Sequence, residues 1–218
     1  MSAVKRILPA VKLIVICVVC TLLLSATYEL TRGRIEKQSL EAQRERLGVL
    51  FTEGVRFEEY ELDRESSAAL REIDAEPDSV TRVYDASDTL IGTAVTTTAQ
   101  GYGGEIIVTA AFAEDGKIIG ISVSATGETP NVGDKVNGAV TALSLDELIN
   151  NDASDGERFL AQFLSLSPLT EASIGKGADQ NVDVISRATV SSKATIKAFN
   201  QAVKAYIFIN DKGAAENE

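Results

Sequence analysis

From Leu13 to Tyr28 the chain carries no charged residue. With Ile7 to Val11 in front, the apolar run is about 22 residues long and broken only by Lys12, enough for a helix to cross a bilayer. No other feature constrains the chain as strongly. A run of this length is either a membrane anchor or an export signal. Lys12 can extend its amine to the interface at one end. Tyr28 sits at the other end, where aromatic anchors are found. A cleavable signal needs spaced small residues after its apolar core. Here Ser25 and Ala26 are adjacent, and no lipobox surrounds Cys17 or Cys20. The expectation is an uncleaved single-pass anchor in the inner (cytoplasmic) membrane, in contact with lipid.

Charge does not fix which side the rest occupies. Lys5, Arg6 and Lys12 precede the span, and Arg32, Arg34, Lys37, Arg44 and Arg46 follow it. A long following domain can translocate despite such charges. The net charge of the chain is −11, and the part after the span is more acidic still. An extracytoplasmic domain is compatible with that balance and is the expectation. The same balance argues against nucleic acid as a partner, because no basic surplus exists to displace counterions from phosphates. The absence of His removes mechanisms that need an imidazole base. Cys17 and Cys20 share a helix face at a spacing of three. Two thiols alone complete no iron–sulfur cluster, so they are weak metal candidates and read more simply as small apolar residues. No metal is expected.

About 190 residues follow the anchor, enough for one domain with a real core. The expected organisation is an anchor over 1–30, a membrane-proximal helical linker region over 31–79, an α+β domain over 80–210 and a frayed tail over 211–218. Arg34 to Phe51 reads as a helix burying Ala42, Leu47, Leu50 and Phe51. Glu53 to Ser79 reads as a loop with a short helix around Ala68 to Ile73. Val80–Tyr84, Leu90–Thr97, Ile106–Phe112 and Ile118–Ser124 are short and β-branched, so they read as strands of an antiparallel sheet. Asp115-Gly116 signals a hairpin. Glu157–Leu164 reads as a short helix, and Ser191–Phe208 as a long one whose stripe Ile196, Phe199, Val203 and Tyr206 faces the core.

Two stretches bear chemistry. Ser186-Arg187-Ala188-Thr189-Val190-Ser191-Ser192 stands directly before the long helix, and four of its seven residues bear hydroxyls. A helix start offers free N–H groups and a positive dipole end, which suits an anion; Ser and Thr there also serve as ordinary caps. The second stretch, Gly127-Glu128-Thr129-Pro130-Asn131-Val132-Gly133-Asp134-Lys135, is turn-rich and by itself reads as a surface loop.

Taken together, the two stretches resemble a known family. Asp183-Val184-Ile185-Ser186-Arg187-Ala188-Thr189-Val190-Ser191-Ser192 is similar to the D-x-[IV]-[ST]-G-A-T-x-[ST]-[ST] flavinylation motif of FMN-binding domains. Glu128-Thr129-Pro130 resembles their E-T-P-G loop, and Gly101-Tyr102-x-Gly104 their glycine–tyrosine turn. With the anchor, the chain resembles the G subunits of Rnf ion-translocating oxidoreductases. The resemblance covers the anchor and roughly Leu90 to Tyr206.

The resemblance implies FMN held covalently, its phosphate esterified to Thr189 by a flavin transferase that uses FAD. Ser186, Ala188, Val190, Ser191 and Ser192 would surround the phosphate, and Glu128, Thr129 and Tyr102 the ring. It implies an electron-transfer subunit of a membrane-bound ferredoxin:NAD oxidoreductase that moves Na⁺ or H⁺, working with integral and peripheral iron–sulfur or flavin subunits. Such a chain is a redox subunit of a translocase and has no catalytic residue of its own. The alternatives are a membrane-anchored scaffold without cofactor and a flavoprotein subunit of another respiratory reductase. Two positions depart from the motif. Asn131 replaces a Gly, a mild change because Asn enters the left-handed region readily. Arg187 replaces the other Gly; it either strains a left-handed position, at about 1 kcal/mol or more, or adds bulk that slows the transferase, or pairs with the phosphate.

Overall fold

The computed structural model describes residues 3–142, 153–166, 172–173 and 182–215. The chain divides into two compact units, Met1–Glu45 and Arg46–Glu218. In the first, helix α1 (Ala3–Leu50) starts and runs on without a break into the second. The expected anchor and the expected membrane-proximal helix are therefore one helix. Within it, Lys12–Ile35 is long and apolar enough to cross a membrane, with a mean hydropathy of 2.2 and none of it buried in protein. Hydroxyls on this stretch are satisfied by the helix itself: Thr21 donates to the Cys17 carbonyl at 2.8 Å and Thr31 to that of Thr27 at 2.8 Å. This local bonding is what a polar side chain needs in hydrocarbon. Cys17 and Cys20 are free thiols on the exposed surface of the helix.

The second unit is built on a six-stranded sheet in the order β1–β6, each strand antiparallel to the next. The strands are β1 (Arg56–Glu59), β2 (Pro77–Tyr84), β3 (Leu90–Gln100), β4 (Glu105–Phe112), β5 (Ile118–Ser124) and β6 (Gly138–Thr141). Sequential antiparallel pairing needs only short turns, and the turns are legible. Gly116 (φ 81°) closes the β4–β5 hairpin by donating to the Ala113 carbonyl at 3.0 Å, while Ala113 donates to Lys117 O at 2.9 Å. Asp88 (φ 64°) takes the same place between β2 and β3. Two strands lie outside the expected set. β1 falls in the acidic segment read as a loop, because four residues with one half-buried side chain give no usable alternation. β6 follows the functional loop and is equally short.

Helix α4 (Thr189–Ala215) and helix α3 (Asp155–Leu164) cover one face of the sheet. All four residues of the expected stripe, Ile196, Phe199, Val203 and Tyr206, are buried. Small residues Ala198, Ala202 and Ala205 let the helix backbone come close, and Thr97 on β3 donates to the Ala198 carbonyl at 2.7 Å. Tyr206 stacks on Phe112 with centroids 4.3 Å apart and donates its hydroxyl to Ala113 O at 2.9 Å. Ser154 and Glu157 form a reciprocal capping box at the start of α3. On the opposite face, Leu47, Leu50 and Phe51 pack on Val83, Ala94 and Ala111. Gly120 makes room for this: a Cβ there would lie 2.7 Å from Leu50 Cδ2.

Helix α4 continues to Ala215, so residues 211–215, expected as part of a frayed tail, are helical; residues 216–218 lie outside the described set. Its last turns are fastened to α2 (Arg64–Glu72), where Lys212 donates to Asp63 at 2.8 Å and to Ser66 Oγ at 2.8 Å. Asp63 also caps α2 by accepting from Ser66 N. The ammonium of Lys212 and these donors hold the Asp63 carboxyl well below its ordinary 3.8. A depressed carboxyl stabilises the fold above its unfolded pKa and loses that contribution as pH falls toward the folded one. Asp63→Asn keeps the cap acceptor and removes the charge. Its melting temperature is expected to lie slightly below wild type at pH 7, with the gap closing as pH falls below about 3.8. A thermal-melt series across pH checks this.

Candidate functional site

The start of α4 sorts its hydroxyls by direction. Ala188 N donates to Ile185 O at 3.0 Å, closing a turn with Ser186 and Arg187 at its corners. Ser192 N then donates to Ala188 O at 2.8 Å, the first bond of the helix. Ser192 Oγ points inward and accepts from Ile185 N at 3.1 Å; the residue is fully buried. Ser192 is thus a fastener of the turn and does not line the pocket described below. Ser186 is exposed and does not line it either. Thr189 is the first helical residue and its side chain is exposed. The N–H groups of Thr189, Val190 and Ser191 lie in the first turn, where a helix has no acceptor for them.

Arg187 sits at φ 69°, in the left-handed region. It is the third residue of a turn whose second residue has negative φ, the place where a type II turn demands Gly. The strain anticipated for an Arg at this position is therefore present. Asn131 is at φ 60°, also left-handed, in keeping with the tolerance of Asn.

The loop before the 3-10 helix (Gly133–Val136) is wound around one carbonyl: Thr129 O accepts from Val132 N at 3.1 Å and Gly133 N at 3.0 Å. Glu128, at the head of this loop, is 6% exposed. Its Oε1 accepts from Tyr102 N at 2.7 Å and its Oε2 from Gly103 N at 3.3 Å. A buried carboxylate on two backbone donors is a strong fastening, and it ties the Gly101–Gly104 turn to the Thr129 loop. The glycines around it are obligatory for space. A Cβ on Gly101 would fall 2.0 Å from Glu128 Oε1, and one on Gly133 2.2 Å from Oε2 and 2.8 Å from Ser191 Oγ. Gly104 and Gly127 meet backbone to backbone: a Cβ on Gly104 would lie 2.9 Å from Gly127 Cα, and one on Gly127 3.1 Å from Gly104 Cα.

These three pieces enclose a pocket of about 360 Å³. Tyr102, Glu128 and Thr129 line it from one side and Ala188, Thr189, Val190 and Ser191 from the other, so seven of the nine residues singled out from sequence meet at one place. Val132, Gly133 and Arg187 complete the lining. Val132 and Gly133 are legible in sequence only as members of a turn-rich loop; nothing in their residue types marks them as wall.

The pocket suits a flat aromatic ligand with an anionic tail. Tyr102 is 77% exposed, Val190 51% and Val132 40%, so large apolar groups stand open to solvent around one depression. Apolar groups gathered around one depression with a few polar groups beside them are the makings of a ligand pocket. Beside it lie the free N–H groups of a helix start, which favour a phosphate. The donor set therefore fits FMN. Among the described residues no group of three or more His, Cys, Asp or Glu gathers to hold a metal ion.

Comparison with known proteins agrees with this geometry. Residues 101–204, which contain the whole pocket lining, match the model of the FMN-binding domain. Residues 8–50 match the model of the RnfG N-terminal region. The G subunit of the ion-translocating oxidoreductase complex of Cereibacter sphaeroides is 35% identical over 120 residues, covering 54% of this chain and 52% of that protein. The protein of the same name from Methanosarcina acetivorans is 28% identical over 197 residues, covering 88% and 90%. The G subunit of the Na(+)-translocating ferredoxin:NAD(+) oxidoreductase complex of Acetobacterium woodii is 26% identical over 199 residues, covering 89% and 88%. The match thus spans about half the length of the Cereibacter protein and most of the other two. The crystal structure of Shewanella oneidensis NqrC aligns with a TM-score of 0.41 at 20% identity, covering 63% of this chain and 61% of that one. The chain thus carries a match to an RnfG N-terminal region followed by a match to an FMN-binding domain, and along nearly its full length it is similar to proteins named as G subunits of ion-translocating oxidoreductase complexes.

Proposed function

We propose that this chain is the flavin-carrying G subunit of a membrane-bound ion-translocating ferredoxin:NAD oxidoreductase, with FMN joined through its phosphate to Thr189. The observation that carries the reading is the setting of Thr189. It presents the one exposed hydroxyl on the α4 side of an apolar pocket, at a helix start, inside the FMN-binding domain match. Attachment balances as a transfer from FAD. Thr189 Oγ1 bonds to the flavin-side phosphorus, the pyrophosphate bond breaks, AMP leaves, and a base of the transferase takes the hydroxyl proton. The resulting phosphodiester keeps one negative charge next to free helix N–H groups.

When bound, the flavin supplies the electron-transfer chemistry. The chain's own residues supply position. Glu128 fixes the Tyr102 turn, Thr129 winds the loop, and the Ile185–Ala188 turn with Ser192 holds the attachment point rigid. The chain has no nucleotide-binding Gly-rich fingerprint, so electrons come from and go to other subunits of the complex. Helix α1 anchors it in the membrane, with the FMN-binding domain on the extracytoplasmic side.

The test is intact mass with in-gel flavin fluorescence after denaturation, on full-length protein made in a host with an active flavin transferase. Wild type is expected to gain one FMN less one water, and Thr189→Val to gain nothing. An unmodified wild type would overturn the covalent reading and leave a cofactor-free scaffold as the better account.

A further inference from the structure

The residue that departs most from its surroundings is Arg187. It holds a left-handed backbone at φ 69° where a side chain costs about 1 kcal/mol or more. Its guanidinium does not recover that cost within the protein. Arg187 is exposed, and among the described residues it makes no ion pair and no hydrogen bond. Yet it lines the pocket, two residues from Thr189, and among the described residues it is the only cation in the lining. Glu128, the other charged group among the described lining residues, is already engaged with Tyr102 N and Gly103 N. A pocket with one carboxylate turned away to backbone donors and one unpartnered guanidinium is a pocket awaiting an anion. Guanidinium donates in a planar fork that matches two oxygens of a phosphate.

We propose that Arg187 pairs with the phosphodiester on Thr189, so that attachment of the flavin turns a strained, unpartnered residue into a charge-assisted clamp. The inference rests on the proposed flavin attachment. It adds that the chain is more tightly held in its modified form for a reason the helix start alone does not supply. Pairing lies at the phosphate end of the ligand, so Arg187 acts as a positioning residue.

Arg187→Gln separates charge from strain, because it keeps the Cβ and so keeps the backbone cost. The experiment compares melting temperatures of the full-length chain in detergent, flavinylated and in the Thr189→Val background, with intact mass recorded for each. In the Thr189→Val background, Arg187→Gln is expected to leave the melting temperature unchanged. In the flavinylated protein it is expected to lower it by about 2–4 °C, with the loss shrinking in 0.5 M salt (~4 Å Debye length) and largely restored in Arg187→Lys. Arg187→Gly is expected to raise it by about 2–4 °C in the Thr189→Val background, through release of strain. The flavin midpoint potential is expected to be the same in wild type and Arg187→Gln. Failure of Arg187→Gln to be modified while Arg187→Lys is modified would also support a role for the charge. The same melting shift in both backgrounds, or none in either, would overturn the clamp. A changed potential would place the guanidinium at the ring instead and overturn it too. An unmodified wild type is the failure of the attachment itself, read directly from its mass.

Discussion

Gly133→Ala is expected to cost about 1–3 kcal/mol of stability and to lower the flavinylated fraction at least roughly tenfold under limiting transferase, since about 1.4 kcal/mol at a transition state is already tenfold. The reason is the crowding at one point. The new methyl would lie 2.2 Å from Glu128 Oε2, 2.8 Å from its Cδ and 2.8 Å from Ser191 Oγ. None of these can move freely. Glu128 is buried and held by Tyr102 N at 2.7 Å, and Ser191 is buried in the first turn of α4. Relief requires either that Glu128 leave, which releases the Tyr102 turn, or that α4 shift, which carries Thr189 with it. Both outcomes spoil the pocket. The two residues are in contact, so their effects should not add. Glu128→Ala alone loosens the Tyr102 turn, but it also removes the atoms that the Gly133 methyl would strike. The further cost of Gly133→Ala is expected to fall by about half in the Glu128→Ala background, given coupling energies of this size between touching residues. Thermal melts and intact mass on the four proteins check this. Full additivity would mean that Glu128 does not brace the pocket.

The contrast between Gly133 and Thr189 shows what a sequence can disclose. Thr189 stands out in sequence because a hydroxyl-rich run at a helix start is a chemical pattern and because it falls in a run that resembles a known motif; its place in the pocket lining is what the structure adds. The stripe Ile196, Phe199, Val203 and Tyr206 is visible because burial on a helix leaves a period, and all four are in the core. The four long strands are visible through their β-branched content. What stays hidden is what depends on closeness in space. Strand β1 has four residues and one half-buried side chain, so no alternation marks it. Ser192 reads in sequence as one more phosphate donor, but its hydroxyl faces inward to Ile185 N. Glu128 reads as a ring contact, but its two oxygens serve the backbone of a turn 25 residues away in sequence. A side chain's direction is set by packing, and residue type does not report it. Arg187 falls between the two kinds. Its strain is legible from the motif, since a Gly position suggests positive φ, while its place in the pocket lining needs the fold.

Phe199→Ala is expected to lower the melting temperature by about 6–20 °C, from a loss of about 3–5 kcal/mol for a fully buried Phe. Phe199 has no exposed surface and ends a run of three aromatic rings, 4.7 Å from the Phe163 ring, which is itself 5.3 Å from Phe159. Ala198 and Ala202 beside it are too small to fill the space it leaves, and Ile196 and Val203 of the same stripe are themselves already buried. Collapse is further limited because Thr97 pins the helix backbone to β3 through Ala198 O. The cavity should therefore stay largely open, which puts the cost toward the upper part of the range. The site should fare differently from the core. Thr189 is held locally, by the Ile185–Ala188 turn and the Ser192 hydroxyl, nearly three helical turns before Phe199. Below its own melting transition, Phe199→Ala is thus expected to take up flavin as wild type does, whereas Gly133→Ala at the same temperature is not. Measuring both variants for melting temperature and intact mass separates the two demands on α4. A Phe199→Ala protein that is folded but unmodified would mean that the helix start is set by the core rather than by its own turn.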